Sequence, residues 1–572
     1  MARKAAIILI LVMVTVGVVG LALIQRVRAA GQTWIVISTG DSGPGTLRSF
    51  LANATTGDTI IFDSSVFPPA SPVNIKLSSE LPHIIRGNLT IDASGAGVIL
   101  NGSGILADTV GLVVDSESNT IKGLQILNFS GWGIRLTANA RACSISGNTI
   151  TNNGNGIELY ESSNNTISGN TITNNVYGVG IMSSLNNSIT ENTFVNCGLA
   201  VIDSYKNHVK DNLVNGKQLV YLENVSNYTV ENAGQVILVN CSRILMENLD
   251  LSNTTFGVEL LGTNNTKIAR CNMTNNESGI WLRYSSNNTI LGNNITNNKI
   301  GIRLENSSRN TLIGNTASNN SQYGIYLPSS SNSTLTGNNA SNNGLGIYLD
   351  SSSNSTLTGN NASSNGAGIF LLTSNNNTLS GNNVEGNSAG ISVDGSMNNV
   401  ISGNNVVNNT NGIDIVGVLF TVISGNHIAA NTQYGITLDA ASNNTISANN
   451  VTNNNLGIFL DGLCNNNTIY HNHFINNTQQ VIVSLGDVNT WDNGYPSGGN
   501  YWSDYTDVDQ YSGPDQNEPG SDEIWDHPYI IDENNQDNYP IVPEFPSFLI
   551  LPIFMIATLL AVMVYKRKRS TS

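Results

Sequence analysis

Charge is what this sequence has least of. Only 11% of its 572 residues are Asp, Glu, Lys or Arg, under half the roughly 25% of an ordinary soluble domain. The 24 Lys and Arg face 40 Asp and Glu, for a net charge of −16. That balance excludes the basic surface a nucleic-acid binder needs. Between Asn310 and Tyr565 there is no Lys or Arg at all. Charges so sparse also exclude a coiled coil and a charge-rich disordered tail, and the regular recurrence of aliphatic residues excludes disorder altogether. The five cysteines (Cys143, Cys197, Cys241, Cys271, Cys464) are odd in number and form no CxxC or zinc spacing. They read as small buried residues rather than a disulfide framework. In place of charge the chain has 89 Asn, about one residue in six, and 55 Gly.

The two ends carry the long apolar runs. Residues 1–30 open with Arg3 and Lys4, stay apolar from Ala5 to Ile24, and offer small residues around Val27-Arg28-Ala29. They read as a signal peptide or an uncleaved signal anchor, and either implies export. Residues 548–564 form a second run of about 17 residues, the short limit for a membrane span. Lys566, Arg567, Lys568 and Arg569 follow it, and the positive-inside rule holds them in the cytoplasm. The expectation is an extracellular, cell-surface body anchored through its C-terminal helix.

The middle is a repeat array. Gly-Asn-x-Ile/Val/Ala recurs at Gly147, Gly169, Gly292, Gly314, Gly337, Gly359, Gly381, Gly403 and Gly425, and Gly-Ile-x-Leu follows, as at Gly279, Gly301, Gly324, Gly346, Gly368 and Gly457. From Gly292 the period is 22 or 23. Each period holds strands of three or four residues with period-2 alternation, divided by Gly/Asn/Ser turns. A helical solenoid is excluded, because no apolar 3.6 period survives and Gly and Asn form helices poorly. A leucine-rich repeat would need its Leu-x-x-Leu-x-Leu frame, which is absent. Strands this short must pair with the next repeat. The fold class is therefore all-β, a parallel β-helix of about 19 coils, at ~4.8 Å per coil a rod ~90 Å long. In Gly-Ile-x-Leu the Ile and Leu face inward and x faces out. Asn148, Asn170, Asn293, Asn315, Asn338, Asn360, Asn382, Asn404 and Asn426 should stack at one bend as a structural ladder, each amide donating to one neighbouring coil and accepting from the other. The chain divides into residues 1–30, an N-terminal cap and first coils at 31–120, repeats at 121–486, an acidic aromatic capping module at 487–542, and the anchor segment at 543–572. Gly45-Thr-Leu-Arg-Ser-Phe-Leu-Ala-Asn53 is expected as a short amphipathic helix over the first coil.

These repeats, the cap and the Asn ladder resemble NosD-type and pectin-lyase-like β-helix proteins, a carbohydrate-binding and sugar-hydrolase superfamily. Asn215-Gly-Lys-Gln-Leu-Val-Tyr-Leu-Glu with Ala233-Gly-Gln-Val-Ile-Leu-Val-Asn-Cys resembles an insertion of archaeal NosD-like surface proteins. Gly499-Asn-Tyr-Trp-Ser-Asp-Tyr with Pro528-Tyr-Ile-Ile resembles their C-terminal module. Pro543-Glu-Phe-Pro546, the apolar run and the basic tail together resemble the PEF-type sorting signal of archaeal surface proteins. The resemblance implies a right-handed coil and a sortase-like enzyme as a processing partner. It also brings two enzymatic alternatives, a polysaccharide lyase or glycoside hydrolase, and an accessory role in copper-enzyme maturation. No Cys/Met/His cluster suited to soft copper is present.

Three groups of residues could carry function. Trp281, Tyr326, Tyr348 and Phe370 share the outward x register, interrupted by Arg303, and offer a platform on which sugar rings could stack. Residues 487–542 hold 13 acidic side chains and no Lys or Arg. Among them Asp504, Asp507, Asp509, Asp522 and Asp526 are the candidate Ca²⁺ ligands, with calcium the one cofactor and no organic cofactor expected. Related modules read Asp-Gly-x-Gly-Asp where this chain has Asp522-Glu-Ile-Trp-Asp526, so the tight calcium turn lacks both glycines. Catalytic residues stay open. Asp350, Asp394, Asp439 and Asp461 follow the outward strand mostly on alternate coils, and no adjacent acidic pair is seen; Glu158, Glu161 and Arg135 are the remaining possibility. His427 and His473 share a register two coils apart, too far for one metal ion, and read as structural. Asn-x-Ser/Thr sequons abound (Asn53, Asn88, Asn164, Asn287), and export makes some of them glycosylation acceptors. The expected function is non-catalytic: binding of extracellular glycans or neighbouring surface proteins, or a structural stalk, with no nucleic acid.

Overall fold

A computed structural model describes residues 31–105, 108–484 and 486–542. The signal segment, the Pro543–Pro546 motif, the C-terminal apolar run and the basic tail lie outside the described residues. Among the described residues no helix is long and apolar enough to cross a membrane. The chain forms two compact units. Among the described residues the first holds those up to Glu223 with Asn232–Ile237 and Asn253–Phe256, the second Asn224–Glu231, Leu238–Ser252 and those from Gly257 on.

Both units are parallel β-solenoids, together about 20 turns of about 22 residues. One coil of the second unit shows the plan. Thr311–Ile313 and Thr316–Ser318 are three-residue strands, and Tyr323–Pro328 is a six-residue strand. The first and third pair in parallel with their counterparts one coil on, Leu312 opposite Leu335 and Ile325 opposite Ile347, and Thr316–Ser318 pairs with Asn294–Thr296 one coil back. The long strand is Gly-Ile-x-Leu, and Ile302, Leu304, Ile325 and Leu327 are fully buried. The core is thus a stack of one-coil-thick aliphatic layers, each sealed by the next.

The two glycine columns exist for different reasons. Gly314 has φ +59°, and an added Cβ would meet nothing within 4 Å, so it serves the left-handed corner alone. Gly346 has ordinary φ, but a Cβ there would lie 2.5 Å from the Gly368 carbonyl oxygen. That column lets one coil settle directly on the next.

The corners are polar and buried. In the second unit the Asn column runs Asn293, Asn315, Asn338, Asn360, Asn382, Asn404, Asn426, Asn449, Asn472 and Asn500, each side-chain amide donating to the next Oδ1 at 2.8–3.0 Å. The first unit has its own run, Asn148 to Asn170 to Asn192 to Asn212. A second column that the Gly-Asn frame does not announce runs through Asn298, Asn320, Asn343, Asn365, Asn387, Asn409, Asn431, Asn454 and Asn477. A third corner stacks Ser285, Ser307, Ser330, Ser352, Ser374 and Ser396, each hydroxyl oxygen accepting the preceding coil's N–H. Hence corners too tight for water still satisfy their backbone. All five cysteines are buried, and none forms a disulfide. Two show what they replace: the Cys143 and Cys271 N–H groups donate to Asn165 and Asn293, so these thiols sit on asparagine rungs.

The ends of the array differ. Near the N-terminus, Leu47–Asn53 forms a helix capped by Thr46, whose hydroxyl accepts the Ser49 N–H at 3.2 Å, with Leu47 and Leu51 buried. At the C-terminal end Tyr501–Trp502 adds to the last short strand. The ladder stops there: Asn500 accepts from Asn472, and its own N–H groups meet the fully buried Asp537 carboxylate and the Trp491 carbonyl.

Candidate functional site

Because x in Gly-Ile-x-Leu faces out, one column of side chains runs along the long-strand sheet of the second unit. In register it reads Trp281, Arg303, Tyr326, Tyr348, Phe370, Ser392, Asp414, Thr437 and Phe459. The aromatic part is a stack. Tyr326 lies on Tyr348 and Tyr348 on Phe370, each pair 5.0 Å apart and within 10° of parallel. Tyr323 packs against both tyrosines. Trp281 stands apart: the Arg303 and Arg283 guanidiniums lie 5.1 and 5.3 Å from its ring, and its indole N–H donates to Glu305 at 3.2 Å.

This arrangement decides what the rings can offer. At one-coil spacing the faces of Tyr326, Tyr348 and Phe370 are turned to one another, so what points outward is ring edge. Trp281 is separated from the stack by Arg303. The four aromatics are therefore not one flat platform. Burial first, then Asp350 and the neighbouring phenols, push the Tyr348 hydroxyl up to about 12. One ring face escapes the stacking. Beyond Phe370 the register reaches Ser392, too short to cover a ring, and then Asp414.

Asp414 is the residue the sequence reading overlooked. It sits in the x position of Gly412-Ile-Asp-Ile, two residues before Val416, which pairs with Asp394 on one side and Asp439 on the other. The three carboxylates thus share one outward patch. Burial, then Asp439 and Asp394, hold the Asp414 carboxyl above the usual range. The reading that no adjacent acidic pair occurs in the coils is corrected here: Asp439 and Asp461 pair directly across adjacent coils, and a strand's period of two brings the x-position Asp414 diagonally beside Asp394 and Asp439. The signal was the only carboxylate in a column that otherwise reads Trp, Arg, Tyr, Tyr, Phe, Ser, Thr and Phe. Beside it, Thr437 is only 8% exposed and its hydroxyl has no partner; the Asn411 side-chain Oδ1 is likewise unpartnered.

In the acidic module the five candidate calcium ligands are turned to different donors. Asp509 accepts the N–H groups of Asp522 and Glu523 and the Ser521 hydroxyl. Asp526 accepts Gln510 and Tyr511 N–H. Asp507 pairs with His527 at 2.8 Å, Asp522 accepts from Gln516 and Ile524, and Asp504 faces the Tyr529 hydroxyl. Each clasps a loop, and among the described residues no three such groups gather as a metal site. The arrangement does not fit a shared Ca²⁺.

Copper fits no better. Burial pushes the Cys197 thiol up to about 12 and the Cys464 thiol to about 11, far from the thiolate a soft metal binds. His427 and His473 have Asn450 between them in register. Nearer the N-terminus, Arg135 and the buried Glu158 form an ion pair across adjacent coils, and Glu161 is an exposed corner residue with φ +50°.

A family model described as "Periplasmic copper-binding protein (NosD)" matches residues 346–507, and one described as "Right handed beta helix region" matches 110–234 and 234–384. Similar solved structures include the A-module of the Azotobacter vinelandii mannuronan C-5 epimerase AlgE4, 14% identical, covering 65% of this chain and 90% of that one with TM-score 0.31. The periplasmic alginate epimerase AlgG is 14% identical, covering 66% and 80%, with TM-score 0.29. The Dettilon tailspike protein is 16% identical, covering 63% of each, with TM-score 0.25. At these identities and TM-scores the likenesses carry no argument about this chain. No curated protein sequence matches the chain. The matched families and the coil geometry make this chain a right-handed parallel β-helix repeat protein.

Proposed function

We propose that the chain is a membrane-anchored, cell-surface β-helix that binds extracellular carbohydrate without turning it over. Export and anchoring rest on the sequence of the two ends. The observation that carries carbohydrate binding is the notch at Ser392. The open face of Phe370 forms one wall and Asp414 the other, two coils away, ~9.6 Å. A pyranose standing on Ser392 would lay its C–H face on the Phe370 ring while its hydroxyls reach the Asp414 carboxyl. An apolar face paired with a polar wall is how an amphipathic sugar is held.

The test is a glycan array probed with the full chain, scoring retention and depolymerised products, with and without EDTA. Retention without cleavage, lost in Phe370→Ala and in the notch-filling Ser392→Trp, supports the reading. Retention that both variants preserve refutes the notch, and loss in EDTA would restore a role for calcium. A second reading, a polysaccharide-active enzyme, is favoured by one observation: burial and two neighbouring carboxylates raise the Asp414 carboxyl above its usual value, the direction a general acid needs. Cleavage products abolished by Asp414→Asn would establish it.

A further inference from the structure

The exposed corner that follows the long strand carries its own polar ladder. The Ser308 N–H donates to Ser286 Oγ, Ser331 to Ser308, Ser353 to Ser331, Asn375 to Ser353, and Met397 to Asn375 Oδ1. It resumes with Asn465 donating to Ser442 and Val488 to Asn465. Met397 and Leu419 are the rungs between, and their side chains hold no oxygen to accept with.

Three neighbours break the repeat at the same place. Val400 and Val422 stand where other coils have Thr. Phe420 stands at the left-handed corner position that Asn332, Asn354, Asn376, Asn398 and Asn443 occupy. It has φ +56° and is 56% exposed. Asn tolerates that conformation; an aromatic residue is strained there, and an exposed one gains no burial to offset it. Met397 and Val400 are 40% and 36% exposed. Two successive coils thus give up a ladder and accept strain to present apolar side chains to solvent. A local rule broken without compensation inside the fold marks a surface made for something outside it.

The charge beside it says what that is. Asp394 ends the long strand one coil before Phe420, immediately ahead of the Met397 corner, and Asp439 ends it one coil after. Asp461 follows on the next coil. The sequence supplies no Lys or Arg from 310 to 565 to balance them. We infer that the Met397–Val400–Phe420–Val422 corner docks a protein partner through a segment in which an aromatic or aliphatic residue is flanked by Lys or Arg. The apolar residue seats on Phe420 and Met397, and the cations meet Asp394 and Asp439. This surface borders the Ser392 notch through Asp394 and Asp439, which flank Asp414, but its apolar corner lies outside the notch and the inference stands whether or not the notch binds sugar.

The experiment selects a phage-displayed library of random linear peptides on the full chain, then measures the synthesised winner against variants. Winners carrying Lys or Arg around an aromatic or aliphatic residue are expected. Their affinity should fall about tenfold or more in Met397→Ser/Phe420→Asn and in Asp394→Asn/Asp439→Asn. The first pair restores the repeat, so its melting temperature should rise, which separates lost docking from lost folding. Absence of enriched peptides, winners without basic residues, or equal affinity for wild type and both variants would overturn the inference. Self-association of the wild type that the first variant abolishes would also overturn it, in favour of a second copy as the occupant.

Discussion

Asn360 is a rung whose removal can be costed bond by bond. Its amide nitrogen donates to Asn382 Oδ1 and to the Leu335 carbonyl, both at 3.0 Å. Its Oδ1 accepts the Asn338 N–H at 3.0 Å and the Asn338 side-chain amide at 2.9 Å. In Asn360→Ala, Asn382 Oδ1 keeps the backbone N–H of residue 360, and the Asn338 amide keeps the Leu312 carbonyl. The Asn338 N–H loses its acceptor and the Leu335 carbonyl loses this donor, in a site with no exposure. At about 1–3 kcal/mol per orphaned buried group, the loss should be about 2–4 kcal/mol and independent of pH. Asn360→Asp keeps the shape but sets an oxygen against the two acceptors and buries a charge, for about 3–5 kcal/mol at neutral pH. Its folded-state pKa must then lie above the unfolded value of about 4. Stability is therefore greatest below that value and falls as pH rises. Solenoids transmit energy between neighbours, so hydrogen exchange over residues 335–382 is the local assay and denaturant melting the global one. A loss below about 1 kcal/mol for Asn360→Ala, or equal and pH-flat losses for both variants, would refute the view that the ladder holds the coils.

Gly346→Ala should cost more than Gly314→Ala, because the first drives a Cβ to 2.5 Å from a carbonyl oxygen while the second meets only open space at φ +59°; the expected values are several kcal/mol against about 1–2, read by denaturant melting. Burial pushes the Asp537 carboxyl up to about 7 against the N–H donors of Asn500, Trp502 and Tyr539. Folding therefore takes up a proton between about pH 4 and 7, and stability should decline with rising pH across that window. The slope should flatten in Asp537→Asn. The native chain should resist maleimide at neutral pH and react at all five cysteines once unfolded; rapid native labelling would contradict their burial.

Sequence periodicity carried the fold a long way. A Gly-Asn frame at a 22-residue step announces both a left-handed corner and a rung, so that column and the inward Ile and Leu were legible. The second column was not. In pairs such as Asn319-Asn320 the first residue turns the corner at φ +56° while the second is the buried rung, and nothing in the letters tells the two apart. Asp414 was hidden because its slot varies from coil to coil; only pairing shows that it stands beside Asp394 and Asp439. The acidic module lacks any period. That Asp509 would be taken by N–H groups 13 and 14 residues away depends on a loop path that composition does not encode, so acidic density alone suggested a cation.

The ladder has a direction. From Asn293 to Asn500 every side-chain carbonyl is turned toward the preceding coil, so ten amide dipoles add along one line. An α-helix sums its peptide dipoles in the same manner and favours an anion at its N–H end. Here the N–H end is Asn500, and the acidic group that meets it is Asp537, whose carboxyl also takes the Asn500 backbone N–H at 2.7 Å and the Trp502 indole at 2.9 Å. The column is in effect a macrodipole made from side chains, and Asp537 is its cap.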